Sequence, residues 1–192
     1  MKKIFFSDET QVDRNARGRQ FQWGESRAAT TAIKAFNRNG PKVMLWAMIA
    51  RDYKSPLVVF TEKSVNHELY IKRCLTTRVA NLVKKKDGLF MQDNAKIHKC
   101  RNTMDHLENK MKMPLLEDWP PYSPDLNPIE MLWASLKRKV TLRRDIETQE
   151  QLIGACQSAW KTIKISEINK LIDTFEPRLQ AVIKAKGEIV RH

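Results

Sequence analysis

The sequence predicts an α/β fold: a mixed β-sheet flanked by helices, with a helical extension towards the C-terminal end. Three observations carry this. Strand-length apolar or alternating runs dominate the first sixty residues, at 3–7, 19–23, 43–50 and 57–60. Helical and strand patterns then alternate from residue 66 to the helix that opens at Asn127. From residue 148 onward the apolar spacing is helical only. A chain of 192 residues can bury one sizeable core. The expected organisation is one core over 1–145, with helices of 146–192 packed on it or extending it.

Taken in order, residues 3–7 combine β-branched and aromatic side chains and should deliver Asp8 and Glu9 at a strand end. Residues 19–23 alternate polar and aromatic residues. VMLWAMIA, at 43–50, is a continuous apolar run introduced by the turn signal Asn39-Gly40-Pro41. Residues 57–60 follow the break at Ser55-Pro56. Between 66 and 84 the apolar positions Leu69, Ile71, Leu75, Val79, Leu82 and Val83 predict one long amphipathic helix. Asp87-Gly88 turns the chain into a buried strand at 89–92, which ends at Asp93. Residues 99–111 read as a helix, Leu115-Leu116 as a short strand, and 119–128 as a rigid loop, because its prolines fix φ and remove donors. The next helix has Asn127 as N-cap, Pro128 at its first position and Glu130 three residues after the cap. Residues 148–163 and 165–186 complete the chain, with Gly187 as the stop.

The formal charge is +13, spread along the whole length, which suits a polyanionic partner. Cys74, Cys100 and Cys156 have neither disulfide-framework nor zinc-site spacing, so a reducing compartment is expected. The apolar run after MKK is too short for a signal peptide, and no run reaches membrane-span length. A soluble, intracellular protein follows.

Against this basic background, Asp8, Asp93 and Glu130 stand out as a candidate catalytic and metal-binding set. If the first strand and the strand before Asp93 are neighbours, their carboxylates meet, and the helix start carrying Glu130 closes over them. Phosphodiester cleavage needs a nucleophilic oxygen, a stabilised leaving oxygen and neutralised charge, which two metal ions about 3.5–4 Å apart supply. Mg2+, or Mn2+ in its place, prefers such hard oxygen ligands. Each acid also has a structural explanation. Taken singly, Asp8-Glu9 reads more readily as an exposed acidic pair, Asp93-Asn94 as an Asx turn, and Asn127-x-x-Glu130 as a capping box. His98 is a candidate to orient a phosphate or a water, and reads at least as readily as a surface histidine at a helix start. Trp119, Tyr122 and Trp133 are candidates for base stacking, with Trp133 on an apolar helical stripe that favours the core. Lys137, Arg138, Lys139, Arg143 and Arg144 form a basic cluster suited to DNA phosphates, or a solvated helix face.

FSDE at 6–9, VMLWAMIA at 43–50, QDNAKIH at 92–98 and YSPDLNPIEMLW at 122–133 together resemble the catalytic domain of a mariner-superfamily DNA transposase. PRLQAVIKAKG, at 177–187, is similar to that family's C-terminal end. The resemblance implies a ribonuclease H-like fold and a DDE-type triad at Asp8, Asp93 and Glu130. It also implies Mg2+, double-stranded DNA at transposon ends and target, a homodimer, and a nuclear location in a eukaryotic host. The implied reaction has water cut at transposon ends and the freed 3′ hydroxyl attack target DNA, typically at a TA dinucleotide. Thirty-six residues separate Asp93 from Glu130, suggesting a distinct subgroup, and Ala47 stands where many relatives carry Gly. Relatives normally carry helix-turn-helix domains before the first catalytic strand, so a non-catalytic DNA-binding protein derived from a transposase is the rival reading. A stand-alone ribonuclease H-like nuclease is a third.

Overall fold

The computed structural model describes residues 3–14, 40–62, 64–121, 123–143 and 145–186. The strand expected at 19–23 and the stop at Gly187 lie outside the described residues. Strand β1 (Lys3–Asp13) is the hub of the sheet. It runs antiparallel to β2 (Lys42–Ala50) and parallel to β5 (Gly88–Met91), so the sheet is mixed as expected. The order is β3-β2-β1-β5, with β3 (Tyr53–Lys54) and β4 (Val58–Phe60) both pairing with β2.

Period-two alternation along β1 sends side chains to two separate cores. Phe5 joins Trp46, Phe60, Tyr70, Val83 and Phe90 on the face covered by α1 (His67–Arg73) and α2 (Thr77–Lys85). Phe6 and Val12 join Leu132, Trp133, Leu136, Trp160 and Ile168 on the opposite face. That face is covered by α5 (Pro128–Thr141), α6 (Gln149–Thr162) and α7 (Ile165–Asp173), with α8 (Phe175–Lys184) at its margin. Helices therefore flank both faces of the sheet. Where β5 begins, a side chain on Gly88 would bring a Cβ within 2.5 Å of the Phe5 ring, so only glycine fits there.

Four local expectations change. β1 continues to Asp13, because Thr10 and Val12 keep facing inward, so Asp8 lies mid-strand rather than at a strand end. The single helix expected over 66–84 is two, because Thr76 caps a new helix by accepting from the Val79 N–H. The helix expected over 99–111 starts earlier as a turn at α3 (Lys96–Lys99), breaks at extended Cys100, resumes as α4 (Arg101–Asp105) and ends in a wide turn at His106–Lys110. The last expected helix divides between Asp173 and Phe175, since Pro177 cannot donate to the carbonyl four residues back and its ring clashes there. Leu115 forms a lone parallel bridge to Phe90, which is what remains of the short strand expected there.

Candidate active site

Parallel pairing of β1 with β5 ends at Phe6 opposite Met91, and Asp8 and Asp93 each follow two residues later. Neighbouring strands lie about 4.8 Å apart, so this register brings the two acids to the same end of the sheet. Asp8, Asp93 and Glu130 line one cleft of about 400 Å³, walled on one side by Trp119 and the prolines that follow it. The proline-rich loop makes one tight turn at Pro124–Leu126 and then sets the start of α5. Asn127 serves as N-cap, accepting from the Ile129 N–H, while its own side-chain amide donates to the Ser7 carbonyl of β1 at 3.5 Å. The N–H of Asn127 goes to the Pro124 carbonyl, not to Glu130. The capping box allowed by the sequence is therefore not made, and the Glu130 side chain turns to Asp8.

Asp8 is nearly buried, and Trp133 Nε1–H donates to its Oδ2 at 3.0 Å. Burial, then the charges of Glu130, Glu9 and Asp93, push its pKa up to about 8. Burial also raises Glu130, opposed by the positive charge of Lys137 two turns along α5 and by a side-chain hydrogen bond with Asp8. Two carboxyl groups that share a proton are a pair short of positive charge. Among the described residues no three acidic, histidine or cysteine side chains already converge on one ion position.

Asp93 is arranged differently. Its Oδ1 accepts from the Ala95 N–H at 2.9 Å, the Asx turn that the Asp-Asn pair suggested, and also from His98 Nδ1–H at 2.6 Å. These bonds, His98 first, hold the carboxyl below its usual range despite partial burial. Nε2 of the His98 ring meets Glu9 Oε1 at 3.2 Å. Burial alone would lower the imidazole pKa, yet the two carboxylates raise it to about 10. The ring is 1% exposed and packs against Tyr70 at 4.5 Å between centroids. His98 therefore cannot contact a phosphate, contrary to expectation: both nitrogens are occupied and the ring is walled in.

Of the aromatic candidates, Trp133 is core, as its stripe implied, and Trp119 stacks on Phe175 and meets Phe6 edge-on while lining the cleft. Tyr122 and Arg144 lie outside the described residues. In the basic cluster, Arg138 is exposed and Lys137 half-buried, whereas Lys139 Nζ donates to Thr162 and Arg143 is held by Asp145 through two bonds. Three contributors were not singled out from sequence: Glu9 as partner of His98, the Trp133 N–H as partner of Asp8, and Asn127 as a strap to β1. Only the last two had a readable signal, since both sit within one turn of Glu130.

The profile of the DDE superfamily endonucleases matches residues 3–153. The chain is 31% identical to the Tc3 transposase of Caenorhabditis elegans over 195 aligned positions, 99% of this chain and 58% of that protein. It thus spans a little over half the length of that relative. The fold matches a manganese-containing paired-end complex of Mos1 mariner transposase with a TM-score of 0.80 and 20% identity, over 98% of this chain and 56% of that one. It also matches the Mos1 catalytic domain with raltegravir and magnesium, at a TM-score of 0.73 and 18% identity, over 98% and 85%. The sheet and its flanking helices are thus the ribonuclease H-like fold of that catalytic domain. The chain belongs to the DDE endonuclease superfamily, and the Tc3 and Tc1 transposases of Caenorhabditis elegans are among its relatives.

Proposed function

We propose that this domain is the catalytic core of a metal-dependent DNA transposase, which cleaves phosphodiesters at transposon ends and joins the 3′ ends to target DNA. The observation that carries this reading is the crowding of Asp8 and Glu130 at a cleft shared with Asp93. The donor set fits a hard divalent ion: it consists of carboxylate oxygens, and its negative charge exceeds what the protein supplies. Asp8, Asp93 and Glu130 would hold Mg2+ or Mn2+. Bound there, the ions would activate water or a 3′ hydroxyl and neutralise charge on the phosphate and leaving oxygen.

The chain's own groups do the rest. Trp133 fixes the orientation of Asp8. The Asx turn fixes Asp93 at the mouth of the cleft. Lys137 and Arg138, on the helix that carries Glu130, are the members of the basic cluster best placed to attract duplex DNA, with Lys139, Arg143 and Arg144 extending the same positive segment. We assign 1–145 to the catalytic core and 146–192 to helices packed on it. Pairing of two transposon ends calls for a homodimer, and work on chromosomal DNA calls for the nucleus in a eukaryotic host. No helix among the described residues is long and apolar enough to cross a membrane.

The test is Asp93→Asn on a DNA carrying matched transposon ends. Mg2+-dependent nicking and joining should fall by at least about 100-fold, as for loss of a group acting in the transition state, while the fold persists. Undiminished activity in the variant overturns the reading. A parent protein that binds DNA but never cuts it would identify the non-catalytic alternative.

A further inference from the structure

The buried network behind Asp93 has no part in the cleft itself. β1 presents Asp8 on one face of the sheet and Glu9 on the other, so Glu9 reaches away from the cleft, towards the helices α1–α4. His98 sits between Glu9 and Asp93, 89 residues from the first and five from the second. Its ring lies against Tyr70, whose hydroxyl donates to Gln92 Oε1 at 2.9 Å. The Gln92 amide in turn donates to the His98 carbonyl at 3.3 Å. Ring and backbone of His98 are thus both held, and the imidazole has little freedom to turn.

Both bonds fixed on Asp93, from His98 and from the Ala95 N–H, fall on Oδ1. Neither uses Oδ2, although the Asp93 side chain is 47% exposed and lines the cleft. A carboxylate pinned by one oxygen in this way offers the other from a fixed position, as partners behind metal-binding side chains commonly arrange. We propose that Glu9 and His98 are positioning residues for the DDE site: Glu9 orients the His98 ring, and His98 locks Asp93 so that one carboxylate oxygen faces the metal and the scissile phosphate. The proposal rests on the assignment of Asp93 to the cleft's chemistry. Its distinct content is that an acid on the opposite face of β1, outside the triad, controls the geometry of the second triad residue.

The same geometry sets both ring nitrogens against carboxylate oxygens, Nδ1 on Asp93 and Nε2 on Glu9, so that one side chain spans the two acids.

The experiment uses the 192-residue chain with Mn2+ as probe, measuring ion affinity by electron paramagnetic resonance and calorimetry, with the thermal midpoint and DNA nicking alongside. An Asn side chain can reproduce donation from the Nδ1 position, whereas Gln extends to the Nε2 position and leaves Asp93 unheld. His98→Gln should weaken Mn2+ binding by about 10–100-fold, and His98→Asn should recover most of it, although both variants lose the same ring packing. Glu9→Gln keeps size and an acceptor but removes the charge, and should give a smaller loss of about tenfold at a near-parental thermal midpoint. Equal losses in His98→Asn and His98→Gln that track their thermal midpoints would reduce His98 to packing and overturn the proposal. Parental Mn2+ affinity in both His98→Gln and Glu9→Gln, while Asp93→Asn abolishes binding, would overturn it and leave the reading of the cleft intact. Parental Mn2+ affinity in Asp93→Asn would overturn that reading itself, and the proposal with it.

Discussion

Asp8 is held in conflict by its surroundings: it is nearly buried, hydrogen-bonded by Trp133 and crowded by Glu130. Its folded pKa of about 8 lies above the ordinary 3.8, so folding favours the protonated form. The corresponding stability is fully present below about pH 4 and is lost as pH rises through about 8. Metal-free protein should therefore lose thermal stability from this group between pH 5 and 8.5, at constant ionic strength. Asp8→Asn, whose carbonyl still accepts from Trp133, should flatten that fall. At pH 8.5 it should stabilise the metal-free protein by about 0.5–2 kcal/mol, the usual gain from relieving a strained active-site group, or about 2–4 °C per kcal/mol for a chain of this size. Calorimetry without metal checks this, and an unchanged pH slope refutes it. Adding Mn2+ should reverse the order, stabilising the parent and not the variant.

On the scale of elements, the site depends on how tightly β1, β2 and α5 approach one another. Ala47 of β2 stands opposite Asp8 in the antiparallel register and is fully buried on the Trp133 side. Only a small side chain has room there, so alanine fits and a larger residue should not. Ala47→Leu is expected to cost about 1–3 kcal/mol by overpacking, read by denaturant unfolding, and to depress Mn2+ affinity by displacing Asp8. The elements themselves were largely legible: VMLWAMIA and the Asn127-Pro128 helix start form where pattern and capping chemistry put them, and the strand expected at 89–92 forms one residue earlier, at Gly88–Met91. The interruptions at Thr76 and Cys100 were not, because apolar spacing continues across both breaks and only the caps and turns made in three dimensions divide the helices.

For the molecule as a whole, the C-terminal helices share a core with the sheet and are pinned to it by polar contacts. Lys54 Nζ donates to the Trp160 and Ile163 carbonyls at the end of α6, and Asp52 and Asn169 exchange two hydrogen bonds between the β2–β3 turn and α7. Lys54→Met should destabilise the fold by about 1–3 kcal/mol, since it takes the donor from the Ile163 carbonyl while the Trp160 carbonyl keeps the Ile163 N–H, with thermal unfolding as the measurement. The positive surface acts at longer range. Double-stranded DNA affinity should fall linearly in log–log form with salt, and replacing Lys137 and Arg138 together by Ala should reduce the slope by about 2. A parental slope in that double variant would place the DNA elsewhere on the surface.

By itself the sequence determined the α/β class and the basic character, because these follow from periodicity, turn chemistry and charge, all of which are local or additive. It left Glu130 between helix cap and site residue, since N-x-x-E serves either purpose. Tertiary structure decided that choice by sending the Asn127 N–H to Pro124 and the Glu130 side chain to Asp8. It also turned His98 from a surface candidate into a buried link between Glu9 and Asp93. No spacing rule anticipates that link, because its ends lie on different elements and are joined only by the parallel pairing of β1 with β5.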